Sequence, residues 1–279
     1  MSKASAIPGS DTRQVLALSL SLGFLIIASS GIGLMYPDIY TFATPNWLAQ
    51  TVGQDAFDLF VLAPLLVVSG LYAYVRNRLA WMIWGGTVAY TVYTYLIYCF
   101  CVTFNSLFGL YCAILGLSLF SLIWFIYSAR PGHLQVRNQT FIKVVAYYFL
   151  FVAVAFYILW LKEIIPASIS GTIPESVAAA ELPTNPVHVI DLSMFLPAVF
   201  ILGIGLLKGK KMALYLTPVA LVFFILMDLT IAALSSILMQ RGQGSEPIVT
   251  IAMVVLALIS LGFLIWFLRT CNEDLSHSS

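Results

Sequence analysis

Eight stretches of mostly apolar residues, at roughly 14–35, 56–75, 79–99, 107–127, 141–161, 189–207, 212–236 and 248–268, constrain this chain more than any other feature. A helix needs about 20 such residues to cross the hydrocarbon of a bilayer. Only helices and closed barrels can satisfy their backbone polar groups there. The composition leaves no other home for the chain: 61% of its 279 residues are hydrophobic and 9% are charged, with a mean hydropathy of +0.98. One soluble core cannot bury that much apolar surface. The expected fold class is an all-α polytopic membrane protein with eight transmembrane helices. The first run is as long as the others and lacks a small-residue cleavage signature, so it is expected to be a retained span rather than a signal peptide.

Lys and Arg are retained in short cytoplasmic loops, and they assign the orientation. With the N-terminus inside, that side collects Lys3, Arg13, Arg76, Arg78, Arg130, Arg137, Lys143, Lys208, Lys210, Lys211 and Arg269, leaving Lys162 and Arg241 outside. Eleven of thirteen cations on one side place both termini in the cytoplasm and the protein in the cytoplasmic (inner) membrane. Asp11, Glu273 and Asp274 fall inside, and the other nine acids fall outside or in the outer part of the membrane. Ordinary topology bias accounts for a net negative outer face, and a cation-attracting vestibule would also produce one.

Two segments match at a spacing of 133 residues: DLFVLAP, Asp58 to Pro64, and DLSMFLP, Asp191 to Pro197. The same shift pairs Gly70 with Gly203 and Ala80 with Ala213, and nearly superposes the basic turns Arg76-Asn77-Arg78 and Lys208-Gly209-Lys210-Lys211. Four spans in each copy make the two copies parallel, related by an axis along the membrane normal. The expected organisation is a parallel 4+4 internal repeat, residues 1–137 and 138–279, within one membrane domain. Residues 36–55 and 162–188 each carry Thr and Pro start signals for a short helix, which predicts a two-helix rim at the outer mouth. Trp47 is placed there as an interface anchor.

Ionisable side chains inside spans cost about 2.5–3.5 kcal/mol on insertion scales and are functional candidates by default. Asp228 stands deep in VFFILMDLTIAAL and, unless it lines a cavity, is expected to carry a proton or find a hydrogen bond. Asp58 and Asp191 lie near span starts, where an acid also serves as a helix cap. Pro64 and Pro197, six residues later, remove a backbone donor and predict kinks. Asp55 and His188 precede the two aspartates by three residues, on the same helix face. The shift of 133 makes Asp55 equivalent to His188 and Tyr95 equivalent to Asp228. In the third span Thr87, Thr91, Thr94, Tyr95 and Tyr98 share a face, followed by Asn105 and Tyr111. A pathway lining and interhelical packing both suit that face.

Asp58, Asp191, Asp228, His188, Asp55, Tyr95 and Asn105 therefore form the expected substrate or proton site. His188, Asp191, Asp55 and Asp58 are weak metal candidates, since zinc sites favour more His or Cys. No metal or other cofactor is assigned. The remaining histidines, His133 and His277, are isolated, which leaves a membrane haem without a ligand pair. Cys99, Cys101, Cys112 and Cys271 form neither a CxxC nor a metal pattern, and the first three are expected to pack as small apolar residues. Gly31, Gly33, Gly85, Gly86, Gly109 and Gly116 are expected to permit close helix approach. No basic run suggests nucleic acid, and no nucleotide, hydrolase or metalloprotease motif is present. Membrane lipids, with a small molecule or cation, are the expected partners. The function expected first is a small-molecule or ion transporter with a titratable site in the outer half of the membrane. An enzyme acting on a lipid or isoprenoid from the outer face is the alternative, and a non-catalytic accessory or assembly subunit, whose acids would only cap helices, is a third.

Overall fold

A computed structural model of the chain describes residues 9–40, 43–75, 77–129, 131 and 138–276, with backbone alone for 9–11 and 271–276. Lys3, Arg76, Arg130, His133, Arg137 and His277 lie outside the described residues, and the side chains of Asp11, Cys271, Glu273 and Asp274 are not described. The helices are α1 (Gly9–Met35), α2 (Pro45–Phe57), α3 (Ala63–Tyr74), α4 (Arg78–Cys101), α5 (Phe108–Tyr127), α6 (Gln139–Ser170), α7 (Glu175–Ala180), α8 (Pro186–Ile190), α9 (Leu196–Leu207), α10 (Lys211–Gln240) and α11 (Pro247–Ser276). No strand occurs among the described residues.

Their starts follow local chemistry. Thr44, Asn77, Asn138 and Asn185 each accept a hydrogen bond from a backbone N–H in the first turn of α2, α4, α6 and α8, satisfying donors that have no partner within the helix. Pro45 and Pro186 follow two of these caps, where a missing N–H costs nothing. Asn77 Oδ1 accepts from both Leu79 and Ala80 at 3.0 Å. Asn77→Ala is expected to cost about 1 kcal/mol of stability, read as a lowered Tm in detergent, and no loss would remove this cap from the account of how α4 begins.

Seven helical stretches are long and apolar enough to cross a membrane: Thr12–Met35, Pro45–Tyr74, Phe108–Tyr127, Gln139–Ser170, Pro186–Leu207, Lys211–Gln240 and Pro247–Thr270. They make this a multi-pass helical membrane protein. Large apolar side chains such as Phe24, Phe60, Phe120 and Phe151 are exposed while Ser, Thr, Tyr and Asp side chains are buried, the reverse of a water-soluble surface. α4 has comparable length, 24 residues, but its tyrosines, threonines and glycines make it less apolar. More than half of its side chains are buried, so this helix faces protein rather than lipid.

The expected rim helix in residues 36–55 is not a separate element. α2 runs without a break through a wide turn, Asp58–Leu62, into α3, so that Pro45–Tyr74 is one continuous helix. The second wide turn, Asp191–Phe195, joins α8 to α9 in the same manner. Both turns are π-helical: the N–H of Ala63 bonds to the carbonyl of Asp58, and the N–H of Leu196 to that of Asp191, each five residues back. Each turn starts at the aspartate and ends two residues before the proline, whose nitrogen has no hydrogen to donate. The second loop does hold a short helix, α7, which begins after Pro174.

The chain divides into two compact units. Unit 1 contains residues 1–133 and 218–268, and unit 2 contains residues 134–217 and 269–279. In unit 1, α1 packs against α3 and α5, and α4 against α3 and α5. α10 approaches α4 at Gly86, where a β-carbon would come within 2.6 Å of the Val219 carbonyl oxygen. Gly33 and Gly85 are likewise places of close approach, whereas Gly31, Gly109 and Gly116 have nothing within 4 Å of a β-carbon position. In unit 2, α6 packs along α9.

Candidate functional site

In unit 1 the wide-turn helix presents Asp55 and Asp58 on one face, both 0% exposed. The Tyr40 hydroxyl donates to Asp55 Oδ2 at 2.7 Å and the Tyr98 hydroxyl to Oδ1 at 2.8 Å. Tyr40 comes from the turn Pro37–Tyr40, and its hydroxyl lies 3.3 Å from that of Tyr111 on α5. Burial, and then the neighbouring Asp55 carboxyl, hold the Tyr40 phenol far above its ordinary range, so it remains a donor. Gly33 makes room for this arrangement, because a β-carbon there would collide with Asp55 Oδ2 and the Tyr40 hydroxyl.

Asp58 has a different set of neighbours. Gln54 Nε2 donates to Asp58 Oδ1 at 2.8 Å and to the Tyr90 hydroxyl at 3.1 Å, and Tyr90 is 2.6 Å from Thr230 Oγ1. This chain of polar groups ties α2 to α4 and α10 within unit 1. Among the described residues Asp58 Oδ2 has no hydrogen-bond partner, nor do the buried hydroxyls of Tyr95, Ser29 and Ser30. Neither Asp55 nor Asp58 meets a cation among the described residues. Asp58 is also no helix cap: Thr44 caps this helix, and Asp58 follows Pro45 by about three and a half turns.

Of the other expected residues of unit 1, Asp228 stands apart from this cluster and Asn105 meets it only at Tyr111. Asp228, 7% exposed, makes no hydrogen bond or ion pair among the described residues. Asn105 serves its own turn, accepting from the Leu107 N–H at 2.8 Å and donating to the Thr103 carbonyl at 3.1 Å. Thr87 and Thr91 bond back to carbonyls of α4 itself, at 2.9 Å each, which makes them packing residues. Trp47, expected at the lipid interface, donates its indole N–H to the Cys101 carbonyl at 3.0 Å and so closes the end of α4. Cys99, Cys101 and Cys112 are free thiols.

In unit 2, α6 reads the second wide-turn helix. Trp160 Nε1 donates to Asp191 Oδ2 at 2.8 Å, and the Trp160 ring packs on His188 with centroids 4.7 Å apart. His188 Nε2 stands 3.7 Å from Glu163 Oε2, an ion pair when the imidazole is protonated. Glu163 Oε1 accepts from the Ser176 backbone N–H at 3.0 Å, anchoring the start of α7. Within either unit no three His, Cys, Asp or Glu side chains group to hold a metal ion among the described residues.

Tyr40, Gln54, Tyr90, Thr230, Ser29, Ser30 and Trp160 are the members of these clusters that sequence reasoning missed. Gln54 and Trp160 had a usable signal, since a polar residue at i−4 of Asp58 and an indole near a span end both mark a helix face that meets something polar. Tyr40, Ser29 and Ser30 had none. Comparison of the chain with protein-family models, with curated proteins and with solved structures finds no match.

Proposed function

We propose that this protein is a small-molecule or ion transporter in which Asp55 and Asp58 form a titratable site inside the membrane. One observation supports the reading most: two carboxyls with 0% exposure lie on one helix face with no cation beside either among the described residues. Buried carboxylates without compensation are too costly to keep, so each needs a proton or a bound cation. A site that must take up and release positive charge is what a coupled transporter requires. The accessory-subunit reading expects acids that cap helices, and the mid-helix position of Asp58 speaks against it.

The wider arrangement belongs to the same proposal. α4 is the eighth span: at 1.5 Å per residue its 24 residues extend about 36 Å, enough for the hydrocarbon core. The distribution of Lys and Arg puts both termini in the cytoplasm and the aspartates in the outer half of the inner membrane. The two wide turns, each opening on Asp and closing before Pro at a spacing of 133 residues, support the 4+4 repeat. In that repeat Asp191 and His188 are the second copy's version of Asp58 and Asp55, while Asp228 is a separate intramembrane acid.

Flux in proteoliposomes tests the proposal, with proton and cation movement followed under imposed gradients. Asp55→Asn and Asp58→Asn are expected to reduce flux to the level of empty liposomes. Asp191→Asn and Asp228→Asn are expected to slow it. Wild-type flux from all four variants would sink the reading.

A further inference from the structure

We propose that His188 and Glu163 form a pH-sensitive latch in unit 2, which fastens the short helix α7 to α6 when the imidazole carries a proton and loosens it when the proton leaves. The geometry suits an imidazolium. His188 is 5% exposed, and among the described residues its Nε2 has no hydrogen-bond partner. A neutral ring in that position leaves one nitrogen unanswered, which is unusual for a buried polar atom. The nearest answer is charged. Glu163 Oε2 stands 3.7 Å from Nε2, too far for a hydrogen bond and near enough to pair with a protonated ring. The Trp160 ring, with centroids 4.7 Å apart, adds an aromatic face within cation–π range.

Glu163 connects the ring to the chain around it. Its other oxygen, Oε1, accepts from the Ser176 N–H at 3.0 Å, and Ser176 is the second residue of α7. Asn185 completes the link: Nδ2 donates to Ser176 Oγ at 3.2 Å, while Oδ1 accepts from the N–H groups of Val187 and His188 at 3.0 and 3.3 Å. α7 has six residues and buries Val177 and Ala180, and so short a helix depends on such ties. The other ionisable groups of this region leave Glu163 in control. Lys162, Glu175 and Glu181 are exposed, where water and salt screen them. Tyr157 donates to the Leu192 carbonyl at 3.3 Å. Asp191, one turn along from His188, accepts from the Trp160 indole at 2.8 Å, and its charge works in the same direction as that of Glu163. No third His, Cys, Asp or Glu joins His188 and Glu163 to make a metal centre among the described residues. The pair exists only with the ring protonated, so it is present at the acid end of the range in which histidines titrate, about pH 5–8, and is lost as pH rises.

The latch stands apart from the transport reading and is measured without flux. Hydrogen–deuterium exchange of the full chain in nanodiscs, at about pH 5.5 and about pH 8 with times scaled for the intrinsic rate, reads the amides of α7 against those of α9 as the reference. In the wild type the protection of α7 relative to α9 is expected to be about 3–10-fold greater at the acid end. Glu163→Gln keeps an acceptor for the Ser176 N–H but carries no charge, and is expected to make protection equal at both pH values. His188→Phe keeps a ring against Trp160 and binds no proton, and is expected to do the same. Equal protection of wild-type α7 at the two pH values overturns the latch, as does a difference that persists in both variants. A difference lost in His188→Phe and kept in Glu163→Gln overturns Glu163 as the partner. Misassembly of one variant would show as lost protection in α9, and the other variant then decides.

Discussion

Asp55→Ala is expected to lower the stability of this protein by about 2–4 kcal/mol, the largest loss among substitutions of the buried acids. Asp55 is the common acceptor for Tyr40 and Tyr98, on two elements that reach it from different parts of unit 1. Among the described residues its removal leaves the Tyr98 hydroxyl with a 3.3 Å contact to the Thr51 carbonyl, and Tyr40 with Tyr111. An unsatisfied buried hydroxyl costs about 1–3 kcal/mol, and the vacated volume adds to it. Relief of the carboxyl's own burial works in the opposite direction, which keeps the net figure below the sum. A double-mutant cycle in nanodiscs isolates the bond: Tyr98→Phe should cost about 0.5–3 kcal/mol less in the Asp55→Ala background than in the wild type. Additive losses would show that the pair contributes nothing specific.

Gly86→Val is expected to be as severe for a different reason. Its β-carbon would stand 2.6 Å from the Val219 carbonyl oxygen and 2.7 Å from Val222 Cβ, so α4 and α10 would have to separate. A carbonyl in a helix cannot rotate away as a side chain can. Overpacking of this kind costs typically 1–3 kcal/mol, and the upper end applies where backbone is the obstacle, so about 3 kcal/mol is expected. Gly116→Ala on α5 is the matched control. With nothing within 4 Å and a helical backbone, it should be neutral or gain about 0.5–1 kcal/mol. Thermal unfolding of both variants checks the contrast. Similar losses at the two positions would mean that glycine content, and not the α4 to α10 contact, sets stability here.

Much of the architecture is legible in the sequence because lipid imposes a coarse rule. Apolar runs of span length, interrupted by capping Asn and Thr residues, mark where helices lie, and seven of the eight expected spans recur as long apolar helices. The same rule understates α4, where Tyr90, Tyr95 and Tyr98 dilute the apolar signal because their ring faces pack and their hydroxyls seek partners inside the protein. Asp55 and Asp58 were visible as intramembrane acids. Their partners were not, since Tyr40, Ser29 and Ser30 reach them through the fold and no fixed spacing in the chain connects them. A rim helix was expected at residues 36–55 because Pro45 reads as a start signal, and Asp58 as a second start. The structure keeps the first and runs straight through the other.

The wide turns also set a rotational phase. A π-turn carries one residue more than the α-helix it interrupts, and one residue corresponds to about 100° around the axis. The side chains of α2 and α3 therefore belong to two helical wheels that are out of step by that angle, although they lie on one unbroken helix. A single wheel drawn through Pro45–Tyr74 misassigns every face after Leu62. The same holds across Phe195 in the second wide turn. Loss of one residue inside either turn would act as a screw, swinging everything beyond the proline by more than a quarter of a revolution while leaving the helix intact.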